Sequence, residues 1–297
     1  MYRLVSTMKV ILLKIISKIK FIYSFIKSWV FGLLLRKEFE KVHTFVVFLG
    51  YPRSGHSLIA ALLDAHPNIV MGMEWGLLPH LKMGYHQNQV FASIIQNSRR
   101  FKNRKENIWT GYSYKVDNSW QGNFDELHII GDKLGGRTSI MLYETPDLLQ
   151  LIESRLQLPL KFIHVIRNPF DIITTMTIRS FEKVKKAGEV SCLELLPFIR
   201  NYFNRVETVN QLKEDGGLDI YDLYHEDFII NPGKELESLL DFLGMSNTGN
   251  YIDNCVKIVY DEPHKSRQNI EWTEYLIHFV ENQIKKYSFL QRYSWKH

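Results

Sequence analysis

The stretch Thr44-Phe45-Val46-Val47-Phe48-Leu49-Gly50-Tyr51-Pro52-Arg53-Ser54-Gly55-His56-Ser57-Leu58-Ile59 decides how this chain is read. A β-branched and aromatic run ends in a glycine-bounded turn, and the turn opens onto a helix. Leu58/Ile59 and Leu62/Leu63 recur at helical spacing, and Pro67 stops the pattern. A strand that delivers such a loop to a helix N-terminus builds an anion cradle. The loop N–H groups point at the anion, and the helix end adds partial positive charge. As a nucleoside triphosphate loop it is one residue off. The Gly50-x4-Gly55 spacing and Ser57 fit, but His56 stands at the lysine position. A neutral imidazole does not replace the ammonium that reaches the β- and γ-phosphates. The fixed charge comes earlier, at Arg53. The stretch predicts a phosphate grip that does not run ATP or GTP chemistry, and a ligand-free corner is the alternative.

A second stretch has the same logic. Leu160-Lys161-Phe162-Ile163-His164-Val165-Ile166 reads as a strand and leads into Arg167-Asn168-Pro169-Phe170-Asp171. Asn168 suits the helix cap, Pro169 the first helical position and Asp171 the first turn. Arg167 then sits at the C-terminal end of a strand, where open α/β sheets place their ligands. A capped helix with a surface arginine is the plainer reading.

Pro52-Arg53-Ser54-Gly55-His56-Ser57 followed by Leu63-Asp64-Ala65-His66-Pro67 resembles the 5′-phosphosulfate loop of sulfotransferases that use 3′-phosphoadenylyl sulfate. The resemblance is closest to the carbohydrate and tyrosylprotein branches. His56-Ser57 stands where those branches carry paired threonines, so Ser57 keeps the hydroxyl and His56 is the departure. Arg167-Asn168-Pro169, with Thr175 eight residues after the arginine, resembles the family's 3′-phosphate motif.

The resemblance implies a P-loop-type three-layer α/β/α fold around a mostly parallel sheet. It implies in-line transfer of a sulfuryl group to a hydroxyl or amine, with no metal. Donor contacts are implied at Arg53, Ser54, Gly55, His56, Ser57, Arg167 and Thr175. Lys133, in Gly131-Asp132-Lys133-Leu134-Gly135-Gly136, takes the place of the lysine that touches the sulfuryl group. Glu74, eight residues after His66, takes the place of the tyrosylprotein branch's base, and His80 and His86 are alternatives. Met73 and Trp75 flank Glu74 and are expected to desolvate it. The histidine base of the small-molecule branch falls at Gly135 and is excluded. Tyr224-His225-Glu226-Asp227 resembles a Tyr-Glu-Asp element, with His225 in the tyrosine's place. Lys265-Ser266-Arg267 and Trp272 resemble the closing loop, whose lysine and arginine would clamp the 3′-phosphate.

Composition fits an enzyme of this size. The chain has 297 residues, 45% of them hydrophobic, enough to bury one substantial core. No Gly/Ser/Pro-rich linker divides residues 43–297, so one catalytic domain with an appendage over 1–42 is expected. The net charge of +5 is unevenly placed, with +7 over residues 1–41 and −2 over the rest. A nucleic-acid binder more often has a basic face on its body. Cys192 and Cys255 are too few for a disulfide framework or a zinc site.

At the N-terminus Ile11, Leu12, Ile15, Ile16, Ile19, Ile22, Ile26 and Val30 share one side of a helical wheel, with Lys9, Lys14, Lys18, Lys20 and Lys27 opposite. Residues 8–35 predict a basic amphipathic helix at a membrane surface. An ordinary helix packed on the domain and a type II signal anchor are the alternatives, the protein being membrane-associated on the cytoplasmic face or signal-anchored. Beyond the first helix comes a short apolar run over 68–71, then strands around 127–130 and 218–224 alternate with helices opened at Thr145-Pro146-Asp147 and Asn231-Pro232, a long helix over 193–212 and a last one over 270–286. That alternation predicts a doubly wound parallel sheet. Residues 84–124 read as a polar, aromatic stretch. Tyr85, Trp109, Tyr112, Tyr114 and Trp120 with Arg99, Arg100, Lys102, Arg104 and Lys105 suit selection of an unidentified acceptor. Two other functions stay open: a P-loop kinase or NTPase, and a non-catalytic sulfotransferase-like module that binds a nucleotide or a membrane.

Overall fold

The run Thr44–Leu49 is buried along its whole length, which is why it reads as continuous hydrophobicity rather than alternation. In the computed structural model it is β1, the middle strand of the central sheet. The structure describes residues 2–103, 108–109, 112–182 and 190–296. The other strands are β2 (Ile69–Met73), β3 (Ile108–Trp109), β4 (Tyr112–Ser113), β5 (Ile129–Lys133), β6 (Leu160–Ile166) and β7 (Ile220–Tyr224). Five of them form an all-parallel sheet in the order β2-β5-β1-β6-β7, and β3 and β4 pair apart as a small antiparallel hairpin. The helices are α1 (Tyr2–Leu34), α2 (His56–Asp64), α3 (Leu77–Lys82), α4 (Gln87–Lys102), α5 (Gly135–Glu144) and α6 (Asp147–Leu156). They continue with α7 (Pro169–Phe181), α8 (Leu196–Glu214), α9 (His225–Ile230), α10 (Pro232–Leu243), α11 (Tyr251–Val256) and α12 (Glu274–Ile284).

Alternate residues of β1 serve different layers, as the two-residue period of a strand requires. Val46 and Phe48 join α2, α10 and α11 on one face. Phe45, Val47 and Leu49 join α3, α4 and α6 on the other. The result is the expected three-layer α/β/α arrangement. The expected cap at Asn168 holds, whereas Asn231 opens α10 without a side-chain cap bond. Asn168 accepts from the Phe170 N–H at 3.0 Å with Pro169 behind it, and Gly244 closes α10 at φ 74°.

One local reading differs. Residues 84–124 contain the 16-residue helix α4, whose Val90, Phe91, Ile94 and Ile95 are buried at helical spacing among polar neighbours. Gly135-Gly136, just after β5, opens α5. Cys192 and Cys255 are free thiols, Cys255 buried.

The N-terminal appendage is not detached. α1 runs across α4: Ser28 is buried, Gln89 Nε2 donates to Phe25 O at 3.3 Å, and Phe25, Phe31 and Leu35 pack on the core below.

Candidate functional site

All the strands of a parallel sheet end on one side, and here the ends of β1, β2, β5 and β6 surround a cleft of about 690 Å³. That volume is in the range of small-molecule sites, roughly 300–1,000 Å³. Gly55, His56, Ser57 and Leu58 form one wall. The first turn of α2 leaves N–H groups without intrahelical acceptors there, at the positive end of the helix. The loop reaches this geometry through Gly50 at φ 122°, Arg53 at φ 70° and Gly55 at φ 104°. Gly55 is required twice, because a Cβ at that position would also overlap the His225 ring.

Lys133 ends β5 at the centre of the site. Its Nζ donates to Ser57 Oγ at 3.0 Å and to Glu74 Oε1 at 2.9 Å. The lysine side chain is 4% exposed and the Glu74 side chain 41%. The expected apolar shielding of Glu74 by Met73 and Trp75 is therefore not realised. The carboxylate stands open to solvent and pairs with an ammonium. The backbone holds it there: Glu74 sits at φ 56°, and its N–H donates to Lys133 O at 3.1 Å. Just beyond, buried Asp132 accepts from the N–H groups of Trp75 at 3.0 Å, Gly76 at 2.8 Å and Leu77 at 2.9 Å. Burial pushes the Asp132 carboxyl up to about 6 against those three hydrogen bonds. His80 stacks on Trp75 and gives its Nδ1 to Gly76 O, so it braces this loop rather than facing the cleft. His86 caps α4, away from the site.

On the opposite side Arg167 leads from β6. Its Nη1 donates to Arg53 O at 3.1 Å, and its Nη2 donates to His264 O at 2.7 Å and to Ser266 Oγ at 3.3 Å. The arginine thus joins the phosphate loop to the 264–266 segment. Thr175 lines the cleft one helical face along α7, its hydroxyl donating to Asp171 O at 2.7 Å. His225 is buried against Gly55, and its Nδ1 has no hydrogen-bond partner among the described residues. Burial, then the Arg167 guanidinium, pushes the His225 imidazole down to about 3.

Five residues singled out in the sequence do not offer their side chains to the cleft. The ring of His56 turns under the loop, where Nε2 meets Leu49 O at 2.9 Å and the ring lies against the Gly135 backbone. Burial, then Lys133, pushes it down to about 3, so it supplies no charge. Ser54 is fully buried, its hydroxyl donating to Tyr51 O at 3.1 Å. Arg267 is buried and spends Nη1 on Asp171 Oδ2 at 2.6 Å, with its N–H on Oδ1 at 2.8 Å. It locks the closing segment to α7 instead of reaching the cleft. Lys265 is exposed and does not line the cleft, and Trp272 is a core residue whose indole N–H donates to Thr174 Oγ1.

Of the aromatic and basic residues expected to select the acceptor, Tyr112 and Tyr114 line the cleft. Tyr112 meets Tyr260 edge-on at 5.3 Å. Tyr85 is buried instead, and Trp120 and Arg100 lie off the cleft. Arg104 and Lys105 lie outside the described residues, as does the side chain of Trp109. Sequence reasoning missed Arg137, Arg179 and Arg205. Arg179 follows Thr175 by one helical turn, a spacing that could have found it. Arg205 stands in mid-helix with no motif around it. Six Lys/Arg side chains line the cleft among the described residues, against Glu74 and Glu262, so the site is built for an anion.

The sequence profile described as "Sulfotransferase family" matches residues 45–248. No curated protein matches the chain in sequence. Similar solved structures include the sulfotransferase STF9 from Mycobacterium avium, at 10% identity over 86% of this chain and 80% of that one, TM-score 0.49. Mouse sulfotransferase SULT7A1 complexed with PAP is 12% identical over 83% of this chain and 84% of that one, TM-score 0.46. A retinol dehydratase in complex with androsterone and inactive cofactor PAP is 14% identical over 86% and 82%, TM-score 0.42.

Proposed function

The chain belongs to the sulfotransferase family, and from that premise we propose that it moves a sulfuryl group from 3′-phosphoadenylyl sulfate to a hydroxyl or amine acceptor. The observation that carries the reading is the convergence of Ser57 and Glu74 on Lys133 Nζ at the N-terminus of α2. Those groups supply a phosphate grip, a cation and a base within one hydrogen-bonded unit. The donor brings an activated sulfur bonded to a phosphate leaving group.

The residues divide the work by position. The first turn of α2, Ser57 and Arg53 hold the 5′ end, and their charge stabilises the leaving phosphate as it gains negative charge. Lys133 neutralises the sulfuryl oxygens. Arg167, Ser266 and Thr175 hold the 3′-phosphate, and His225 packs beside the nucleotide. Its orphaned, uncharged Nδ1 suits a hydrogen bond from or to a ligand. Glu74, held by Lys133 at 2.9 Å, presents its carboxylate beside the place where the sulfuryl group would lie. As the acceptor oxygen or nitrogen bonds to sulfur, its proton passes to Glu74 and the sulfur–phosphate oxygen bond breaks, leaving 3′-phosphoadenosine 5′-phosphate. A kinase or NTPase reading is disfavoured, because the residue at the lysine position is a buried neutral imidazole already bonded to Leu49 O.

Calorimetric binding of 3′-phosphoadenosine 5′-phosphate to the full chain, beside 5′-AMP and ATP, tests the donor site. The expected result is a preference for the 3′-phosphate of about tenfold or more, abolished in Arg167→Ala, since a charge-assisted contact is worth about 1.5–3 kcal/mol. No binding, or a preference for ATP, overturns the reading.

A further inference from the structure

α1 carries two apolar faces, and the fold uses only one. The face toward α4 holds Phe25, Ser28 and Gly32, and a side chain on Gly32 would run into the Asn88 backbone. At roughly 100° per residue, Ile16, Ile19, Ile22, Ile26, Val30 and Leu33 fall within a sector of about 120° on the outer side. They are between 39% and 60% exposed. This is the same stripe that the sequence pattern marks as the helix's apolar side. The domain does not cover it.

A soluble surface rarely keeps so long an apolar strip uncovered without a partner. Two further features identify the partner. Lys18 and Lys27 stand on opposite borders of the stripe, and no Asp or Glu occurs between residues 1 and 37. Trp29 and Tyr23, 53% and 67% exposed, sit beside it. A second copy of the chain would bring borders of like charge together. A lipid surface with anionic headgroups takes the apolar strip and the lysines at once, with the aromatic rings at headgroup level. Among the described residues, no helix is long and apolar enough to cross a membrane.

We propose that α1 lies in the plane of an anionic membrane interface, its Ile19–Ile22–Ile26 stripe in the acyl boundary and Lys18 and Lys27 on the headgroups. The inner face of the same helix packs through Phe25 on Tyr85 at 5.1 Å, and Tyr85 meets His80 and Trp75 beside Glu74. The membrane therefore holds the cleft through a packed connection rather than a loose tether. The proposal does not depend on the sulfuryl-transfer reading.

Cosedimentation of the full chain with phosphatidylcholine vesicles, with and without phosphatidylserine, tests it. Binding is expected to require phosphatidylserine and to weaken with added salt. The triple variant Ile19→Ser/Ile22→Ser/Ile26→Ser is expected to lose about tenfold or more, with its melting curve unchanged. Lys18→Gln and Lys27→Gln, which leave the apolar stripe intact, are each expected to cost about fivefold. No preference for phosphatidylserine vesicles, or binding that neither set of variants changes, overturns the proposal. So does a soluble dimer that the triple variant dissolves, because the stripe then belongs to a second copy.

Discussion

His56 stands where a nucleotide-hydrolysing loop carries its lysine, and the residue acts as a strut. Its Nε2–H donates to Leu49 O, its ring rests on the glycine backbone at Gly135, and so it ties the phosphate loop to the start of α5. That role makes the residue's charge state a matter of stability. An unfolded histidine titrates near ~6.5, whereas burial pushes folded His56 to about 3. The stability from neutral His56 is complete above the unfolded value and is lost as pH falls toward 3. Asp64 and Asp132, pushed up to about 6 by burial, take protons in the folded state and partly mask the loss in the whole protein. The difference between wild type and His56→Gln removes that background. Urea unfolding at neutral pH is expected to find the variant less stable by about 1–3 kcal/mol. The gap is expected to shrink by ~1.4 kcal/mol per pH unit below pH ~6.5. A gap constant with pH would mean that the imidazole is not held neutral. At this scale Arg53, Ser57, Glu74, Lys133 and Arg167, named from the loop motifs and the family resemblance, all line the cleft, because the parallel sheet brings the ends of their strands to one side. Arg267 was misplaced because adjacency in a loop does not say which way a side chain turns. Asp171, four residues beyond Arg167, was read as a helix-end charge and is the buried partner that takes Arg267 inward.

The 73–77 segment works as an element through Asp132. Trp75 donates to Oδ1, and Gly76 and Leu77 donate to Oδ2, so one buried carboxylate fixes the backbone that presents Glu74. An amide of the same shape cannot accept at both ends. Asp132→Asn turns an NH2 group onto at least one N–H, at a cost of about 1–3 kcal/mol. Amide exchange at Trp75, Gly76 and Leu77 is expected to quicken by about tenfold or more, with little change in β1 or α2. Unchanged protection at those three amides would remove Asp132 from this role. Nothing in Gly131-Asp132-Lys133 announced that function, since the N–H groups come from the turn between β2 and α3, more than fifty residues earlier in the chain. Strands and proline-capped helices were legible because their residues carry the signal locally. α4 was not, because Gln87, Asn88, Gln96, Asn97 and Ser98 dilute its apolar spacing. α5 was not, because two glycines are poor helix formers and carry no apolar spacing at its start.

For the whole molecule, the boundary drawn after residue 42 is the reading most open to test. The residues that line the cleft all lie beyond it, and the lack of a linker within residues 43–297 led to the expectation of one domain with an N-terminal appendage. Packing ties the two together. Phe25, Phe31 and Leu35 lie on the core that contains Tyr85, Val90 and Phe91, and Ser28 is buried against α4. Truncation at residue 43 also removes Phe39 and Val42, both buried in that core. The three half-buried side chains and these two buried ones stabilise by about 6–9 kcal/mol together. In a domain this large that corresponds to a melting temperature shift of roughly 12–36 °C. A chain begun at residue 43 is expected to melt lower by that amount and to expose Tyr85. The Trp75, His80 and Tyr85 stack would loosen with it, so its affinity for 3′-phosphoadenosine 5′-phosphate is expected to fall less than its stability. A chain begun at residue 20 keeps Phe25, Ser28, Phe31 and Leu35 and is expected to melt with the full protein. Scanning calorimetry on the two truncations separates the cases. Equal melting of all three chains would show that α1 rests on the domain without stabilising it. A loss already complete at residue 20 would move the stabilising contact upstream of Phe21.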